Sequence, residues 1–518
     1  MRRLILAALL AATPAGARTV AVEEKSIDQL QAMMAAGQAS SADLVQAYLK
    51  RIAAMDRQGP TLRAVIALNP DALAQARVLD AERKAGHLRG PLHGIPVLIK
   101  DNVETADNVA TTAGSLALAA NVTRRDAPVV AQLRAAGAVI LGKTNLSEWA
   151  NIRSTRSISG WSAVGGQVRN PYALDRTACG SSSGSGAGVA ASFAAAAVGT
   201  ETDGSVVCPS SINGLAGLKP SIGLVSRTHV VPISHSQDTP GPMARSVRDV
   251  ALMLSAMVGG DPVDAPRGVA TDYVAGLSTS ALSGLRIAVL RPAMTPDLAA
   301  AFDRALAVLR AGGAELVEVE RPKTEGLGAA EQVVLQTELK ADLNAYLATT
   351  PPAVTTRTLA DVIAFNTAHA ATEMAYFGQE TFEAAQRTTG LDDPDYQAAR
   401  AKSLRLASEA IDGLLAKARA TVLVEPSYGP AWLIEPVYGD QYDGPSSAGL
   451  PAVAGYPNLT VPMGLVRGLP AGLSFIATRY GEATVLGAGY AYEQRAHTRI
   501  APRYLPTADV GPGMTGSR

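Results

Sequence analysis

The pattern of apolar and polar positions divides the chain into helices and strands before any chemistry is considered. In SSADLVQAYLKRIAAMD, Leu44, Val45, Tyr48, Leu49 and Ile52 fall on one stripe, which predicts an amphipathic helix with Ser41 as its N-cap. DAPVVAQLRAAGAVILGKTN predicts a helix capped by Asp126 and stopped at Gly137, followed by a strand from Ala138 to Leu141. The same grammar returns in LRIAVL and TPDLAAAFDRALAVLRAGGAELVEVE: a strand, a helix capped by Thr295 with Pro296 in first position, Gly312 as stop, and a second strand. A strand, a crossover helix and a returning strand make a parallel pair, so the pattern specifies an α/β protein with an at least partly parallel sheet. GAGVAASFAAAAVG, from Gly186 to Gly199, has no polar face and is shorter than a bilayer span, which predicts a helix buried inside the body.

The echo between LRAAGA and LRAGGA marks two helix-to-strand exits with the same turn chemistry, not a solenoid period. The segment Asp261 to Ser278, rich in turn residues, reads as a surface connection, yet apolar elements resume beyond it. A single domain is therefore expected over 18–518, with a helical elaboration around 322–420.

Composition narrows the picture further. Of 518 residues, 47% are apolar and 18% charged, and 46 basic residues balance 46 acidic ones, which is a large globular body without the electrostatic footprint of a nucleic-acid binder. Residues 1–17 carry Arg2 and Arg3, an apolar run from Leu4 to Ala12, and Ala15-Gly16-Ala17 in the small-x-small pattern of a signal peptidase site. This predicts export to the periplasm or medium, with no stable membrane insertion. The only cysteines are Cys179 and Cys208, too few for a disulfide scaffold; two buried free thiols are expected, while export leaves a bridge chemically permissible.

Three segments carry candidate chemistry. In PLHGIPVLIKDN an apolar run ends in Lys100 and Asp101; a desolvated lysine there would act as a base, whereas a salt bridge to Asp101 is the plainer reading. CGSSSGSGAG, from Cys179 to Gly188, leads small hydroxylated residues into the expected helix, a setting for an anion or oxyanion. It lacks the ending of a P-loop, and although Gly180 to Gly184 matches G-x-S-x-G, no strand is expected before it. In GTETDGS, the small residues around Ser205 would let successive N–H groups converge on its hydroxyl.

Together with TTAGS, GKTNLSEWAN, GLKPSIGLVS, QDTPGPMARSVRDVA and GYPNLTVPMG, these blocks resemble the amidase signature family, and within it the peptide amidases. The resemblance spans most of the chain after the leader. It implies a mixed, partly parallel central sheet covered by helices on both sides, and an enzyme hydrolysing carboxamides, in particular C-terminal amides of peptides. By resemblance Ser205 is the nucleophile, Ser181 a bridging serine after a cis peptide bond, and Lys100 the base. Thr202, Asp203 and Gly204 supply oxyanion N–H groups beside that of Ser205, Ala150 and Asn151 contact substrate, and no cofactor or metal is implied. Asp203 stands where many members carry glycine, so its carboxylate would either favour a protonated Lys100 or bind a polar substrate group.

His87, His93, His229, His235, His369 and His497 show no metal-site spacing; a histidine-dependent triad would draw on His235 or His497. Tyr428, Trp432, Tyr438, Tyr442 and Tyr456 are conspicuous in an aromatic-poor chain and would either wall a cleft or fill the core. Rival readings are an amidase or esterase for small aryl or aliphatic amides, the catalytic component of an amidotransferase, and a periplasmic binding protein without turnover. The oligomeric state is left open.

Overall fold

The computed structural model describes residues 20–265 and 271–508. The expected export signal therefore lies outside the described residues, as does part of the Asp261 to Ser278 connection. Among the described residues, eleven strands form one sheet. In chain order they are β1 (Val65–Leu68), β2 (Pro96–Lys100), β3 (Val139–Thr144), β4 (Ala196–Glu201), β5 (Ala216–Lys219) and β6 (Thr239–Ala244). They continue with β7 (Arg286–Leu290), β8 (Glu315–Val319), β9 (Val422–Pro426), β10 (Asn458–Val466) and β11 (Leu469–Ile476).

Across the sheet the order is β1-β3-β2-β4-β6-β5-β10-β11-β9-β7-β8. The β3-β2-β4 and β9-β7-β8 neighbours run parallel, and the remaining pairs antiparallel, so the sheet is mixed. Every residue of β2, β3, β4 and β11 is buried, which requires cover on both faces.

The crossover from β7 to β8 is built as its sequence specifies. Thr295 accepts from the N–H of Leu298, Pro296 occupies the first helical position, and Gly312 closes the Pro296–Ala311 helix. The first long helix runs Ser41–Met55, but its cap is Ser40 rather than Ser41: Ser40 and Asp43 form a reciprocal capping box that Ser41, already helical, is not placed to make. Asp126 likewise does not cap. The helix Pro128–Ala135 starts after Ala127, and the Asp126 carboxylate instead takes the N–H of Ala106 and the Arg134 guanidinium.

The run from Gly186 to Gly199 is not one helix. Helix Ser183–Ala190 ends with Ala191 as its cap, and β4 starts at Ala196. An apolar run with no polar face fits a buried helix and a buried strand equally well, so periodicity had nothing to divide it by. Between β8 and β9 the chain forms helices that include Leu327–Ala348 and Pro394–Ala418. The first packs Leu339, Leu343 and Leu347 against Leu118 and Trp149, which lays this helical segment beside the carboxyl ends of β2 and β3.

Candidate active site

Lys100 is the last residue of β2, and the parallel register sets Ile99 against Val198 of β4, so Lys100 emerges one residue short of Thr200 at the carboxyl ends of their strands. In open α/β sheets this edge is where loops converge on ligands. The ammonium is fully buried. Its Nζ lies 2.7 Å from Ser181 Oγ, 2.9 Å from Thr200 Oγ1 and 3.2 Å from the Thr200 carbonyl. Burial pulls its pKa down from 10.5 to about 7, and the nearby Asp238 and Glu201 carboxylates only partly oppose this. The plain salt-bridge reading fails, because Asp101 turns to Lys143 at 3.6 Å and to Thr112.

Ser181 follows a cis peptide bond from Gly180, as the resemblance implied. A Cβ on Gly180 would come within 2.2 Å of Ser147 Oγ, so only glycine lets this loop pass. No strand leads directly into the loop, which removes the nucleophile-elbow reading. The two cysteines are not free: Cys179 and Cys208 are bridged, with Cα atoms 6.0 Å apart. Helix Ser183–Ala190 carries the chain away from Cys179, and β4 with the turn after it brings the chain back to Cys208, a proximity that spacing in sequence could not reveal. The bridge fastens the serine loop to the segment immediately after Ser205, and Ser182 N–H donates to the Ser205 carbonyl at 3.2 Å.

Thr202 to Ser205 form a turn between β4 and the short helix Val207–Ile212. Glu201, buried, closes it by accepting the N–H groups of Val206 and Val207 at 2.7 and 2.9 Å. The N–H groups of Thr202, Asp203, Gly204 and Ser205 donate to no other group among the described residues, leaving a row of donors beside the Ser205 hydroxyl. Gly204 has φ +79°, and a Cβ there would meet Tyr428 Oη at 2.4 Å.

Asp203 is open to water but crowded by protein atoms. That crowding, with Glu331 and Glu201, pushes its carboxyl well above the usual range, against the pull of Lys219. Glu331, Glu201 and Lys219 act on it electrostatically, whereas the acids that act on Lys100 are Asp238 and Glu201.

Trp149, Ala150 and Asn151 are three successive residues with positive φ. The turn is gripped by the buried pair Glu148 and Arg153, 2.9 Å apart, whose guanidinium also reaches the carbonyls of Glu373, Phe377 and Gly378. Ala150 lines a recess next to Thr200, and Asn151 donates to Ser159 Oγ at 3.1 Å, close to Gly180. Tyr428, Trp432 and Tyr442 cluster beside Gly204 and the disulfide, whereas Tyr438 is exposed and Tyr456 bonds Asp412 elsewhere.

His235 pairs with Asp342 at 2.9 Å, His497 ends the Glu482–Ala496 helix, and neither hydrogen-bonds a serine of the site. Among the described residues, His235, Glu338 and Asp342 lie close enough to share an ion, but Glu338 is already taken by Ser234, Ser236 and Tyr396. Sequence reasoning gave no role to Thr200, Asn102, Glu201 or Asp238. All four sit inside motif blocks, but only folding brings them to the lysine.

A buried lysine with a lowered pKa thus sits on a serine hydroxyl, near a second serine flanked by a row of free N–H donors, a grouping of the kind serine hydrolases use. The amidase family profile matches residues 43–486, and the chain belongs to this family of amide-hydrolysing enzymes. Its structure is similar to that of native peptide amidase from Stenotrophomonas maltophilia, with 50% identity, a TM-score of 0.88, and 93% of this chain and 99% of that one covered. A probable amidase of Arabidopsis thaliana is 37% identical over 502 residues, 94% of this chain and 93% of its own length. A glutamyl-tRNA(Gln) amidotransferase chain of Roseiflexus castenholzii is 36% identical over 513 residues, 92% of this chain and 97% of its own. No helix among the described residues is long and apolar enough to cross a membrane.

Proposed function

We propose that the chain is an exported amidase that cleaves C-terminal amides of peptides through an acyl-enzyme on Ser205, with Ser181 and Lys100 as its proton relay. The observation that carries this reading is the 2.7 Å contact of the desolvated Lys100 amine with Ser181 Oγ. A neutral amine has two N–H bonds and one lone pair. The Thr200 carbonyl and hydroxyl oxygens accept the two N–H bonds, which turns the lone pair to Ser181. Ser181 gives its proton to Lys100 as it takes one from Ser205, and Ser205 Oγ attacks the amide carbon. The N–H groups from Thr202 to Ser205 receive the oxyanion. Lys100, now charged, returns the proton through Ser181 to the departing nitrogen, ammonia leaves, and water releases the acid by the reverse path.

Two observations support peptide amides as the substrate. One is the 50% identity to a peptide amidase, and the other is the cluster of Tyr428, Trp432 and Tyr442 beside Gly204. Export rests on the N-terminal sequence alone. The test is ammonia release from a panel of peptide amides and small aryl or aliphatic amides. Peptide amides are expected to turn over fastest, with no release by Ser205→Ala. Turnover confined to small aryl amides would refute the peptide preference, and activity retained in Ser205→Ala would refute the mechanism.

A further inference from the structure

Asp238 separates two hollows. On its inner side is a narrow recess lined by Asn102, Ala150, Thr200 and Thr202, with room for about one water molecule. On its outer side is an open pocket of about 270 Å³ that contains His229, His235, Asp264 and Asp342. Arg227, Val230 and Asp238 line both. One wall of the recess is the Thr200 hydroxyl, which accepts from Lys100 Nζ and from Asn102 Nδ2, each at 2.9 Å. Asn102 is 3% exposed, and its Oδ1 has no hydrogen-bond partner among the described residues. An orphaned buried oxygen is destabilising, and a water seated in the recess satisfies it. The Asp238 carboxylate is held in place by Thr202 Oγ1 at 2.6 Å and by the N–H groups of Ile233 and Ser234 at 2.8 and 2.9 Å.

We propose that Asp238, with one water held on Asn102 Oδ1, is a proton exit that resets Lys100 after the product acid has given up its proton. The proposal rests on the reading of Lys100 as the base. In the second half-reaction, one O–H bond of water breaks and its oxygen bonds the acyl carbon. The bond from that carbon to Ser205 Oγ then breaks, and the proton ends on Oγ. The product acid ionises, its proton passes to Lys100, and it departs as a carboxylate. Lys100 is then an ammonium and inert as a base. Its proton moves to the Thr200 hydroxyl, whose own proton moves to the recess water and on to the Asp238 carboxylate. The resulting carboxylic acid releases it into the outer pocket, where buffer or ammonia takes it up. Burial raises Asp238 to about 6 and lowers Lys100 to about 7, so the transfer is close to thermoneutral. The charged and titratable groups around Asp238 are Arg227, His229, His235, Asp264, Asp342 and Tyr346 on the outer side and Lys100 on the inner side.

The test is Asp238→Asn in the full chain, with a peptide amide as substrate. At pH 8, where Lys100 is mostly neutral with or without the Asp238 charge, the first-turnover burst of ammonia is expected at the wild-type rate. Steady-state kcat is expected to fall about tenfold and to recover as sodium formate is added, since a small base in the outer pocket takes over the carboxylate's part. Simple loss of a negative charge has the opposite sign. It lowers the Lys100 pKa further and raises the rate at pH 6, so a faster enzyme at pH 6 with no response to formate would overturn the proposal. A wild-type kcat with no response to formate would also overturn it. Should Asp238→Asn lack the burst, Val230→Phe decides the matter. It fills the recess with Asp238 in place and is expected to lower kcat without rescue by formate; a wild-type kcat refutes the exit. Failure of the underlying reading shows separately, as turnover by Lys100→Arg.

Discussion

Replacing Lys100 with arginine keeps a cation at the end of β2 and removes the ability to lose a proton, because a guanidinium stays charged at any working pH. The displacement of the lysine from 10.5 to about 7 corresponds to about 5 kcal/mol of preference for the neutral amine, produced by burial. At pH 8 such an amine is about nine-tenths neutral, whereas an ordinary lysine is neutral in only about three molecules per thousand. Losing the base is expected to lower kcat/KM by a factor of about a hundred to ten thousand. The same value fixes the pH dependence of the wild-type enzyme. A proton on Lys100 occupies the lone pair that Ser181 needs, so the rate falls as pH drops through about 7. The assay is ammonia release from pH 5 to 9. Lys100→Met serves as a neutral control that fits the same buried volume and is expected to fold yet be inactive. The folded protein binds fewer protons here than the unfolded chain between about pH 7 and 10.5, so this lysine makes stability rise with pH across that window. Lys100→Met is expected to lose that slope. An arginine variant retaining more than about a tenth of wild-type kcat/KM, or a wild-type acid limb centred near 10, would refute the reasoning.

Gly204→Ala places a Cβ on Tyr428 Oη in a backbone of φ +79°, and is expected to cost about 1–3 kcal/mol of stability and most of the activity; Gly204→Ala with Tyr428→Phe, followed by thermal unfolding, recovers part of the stability if the contact is the cause. Replacing Cys179 and Cys208 with serine opens a loop with a sequence separation of 29, worth about 3.5 kcal/mol by chain entropy, and is expected to shorten the thermal-inactivation half-life; an unchanged half-life would show that the serine loop needs no fastening. Asp203→Asn removes an acid that is influenced by Glu331 and is not among those acting on Lys100, so it is expected to change relative kcat/KM among substrates and leave the acid limb near 7 unmoved; a shifted limb would place Asp203 in the lysine's electrostatics after all.

The linear order of residues was enough for much of this enzyme. The Thr295 cap with Pro296, the Gly312 stop and the parallel pair around them are local matters, decided by hydrogen bonds and dihedral preferences within a few residues. The motif blocks likewise named Lys100, Ser181 and Ser205, because each lies in a short stretch whose letters stay together. Local reading failed where two outcomes share the same local signal. Ser40 and Ser41 are both good caps, and the apolar run after Gly186 suits a helix or a strand.

Whether Lys100 is a salt-bridged cation or a base depended on Asp101 turning to Lys143 and on the depth of burial, and neither is written in the sequence around it. The union of Cys179 with Cys208, the bringing of Asp238 to the recess beside Thr200 and the influence of Glu331 on Asp203 are of the same kind. Proximity and dielectric arise from the packing of segments far apart in the chain. The sequence therefore determined which groups were present, and the tertiary structure decided which of them are neighbours and which forms are charged.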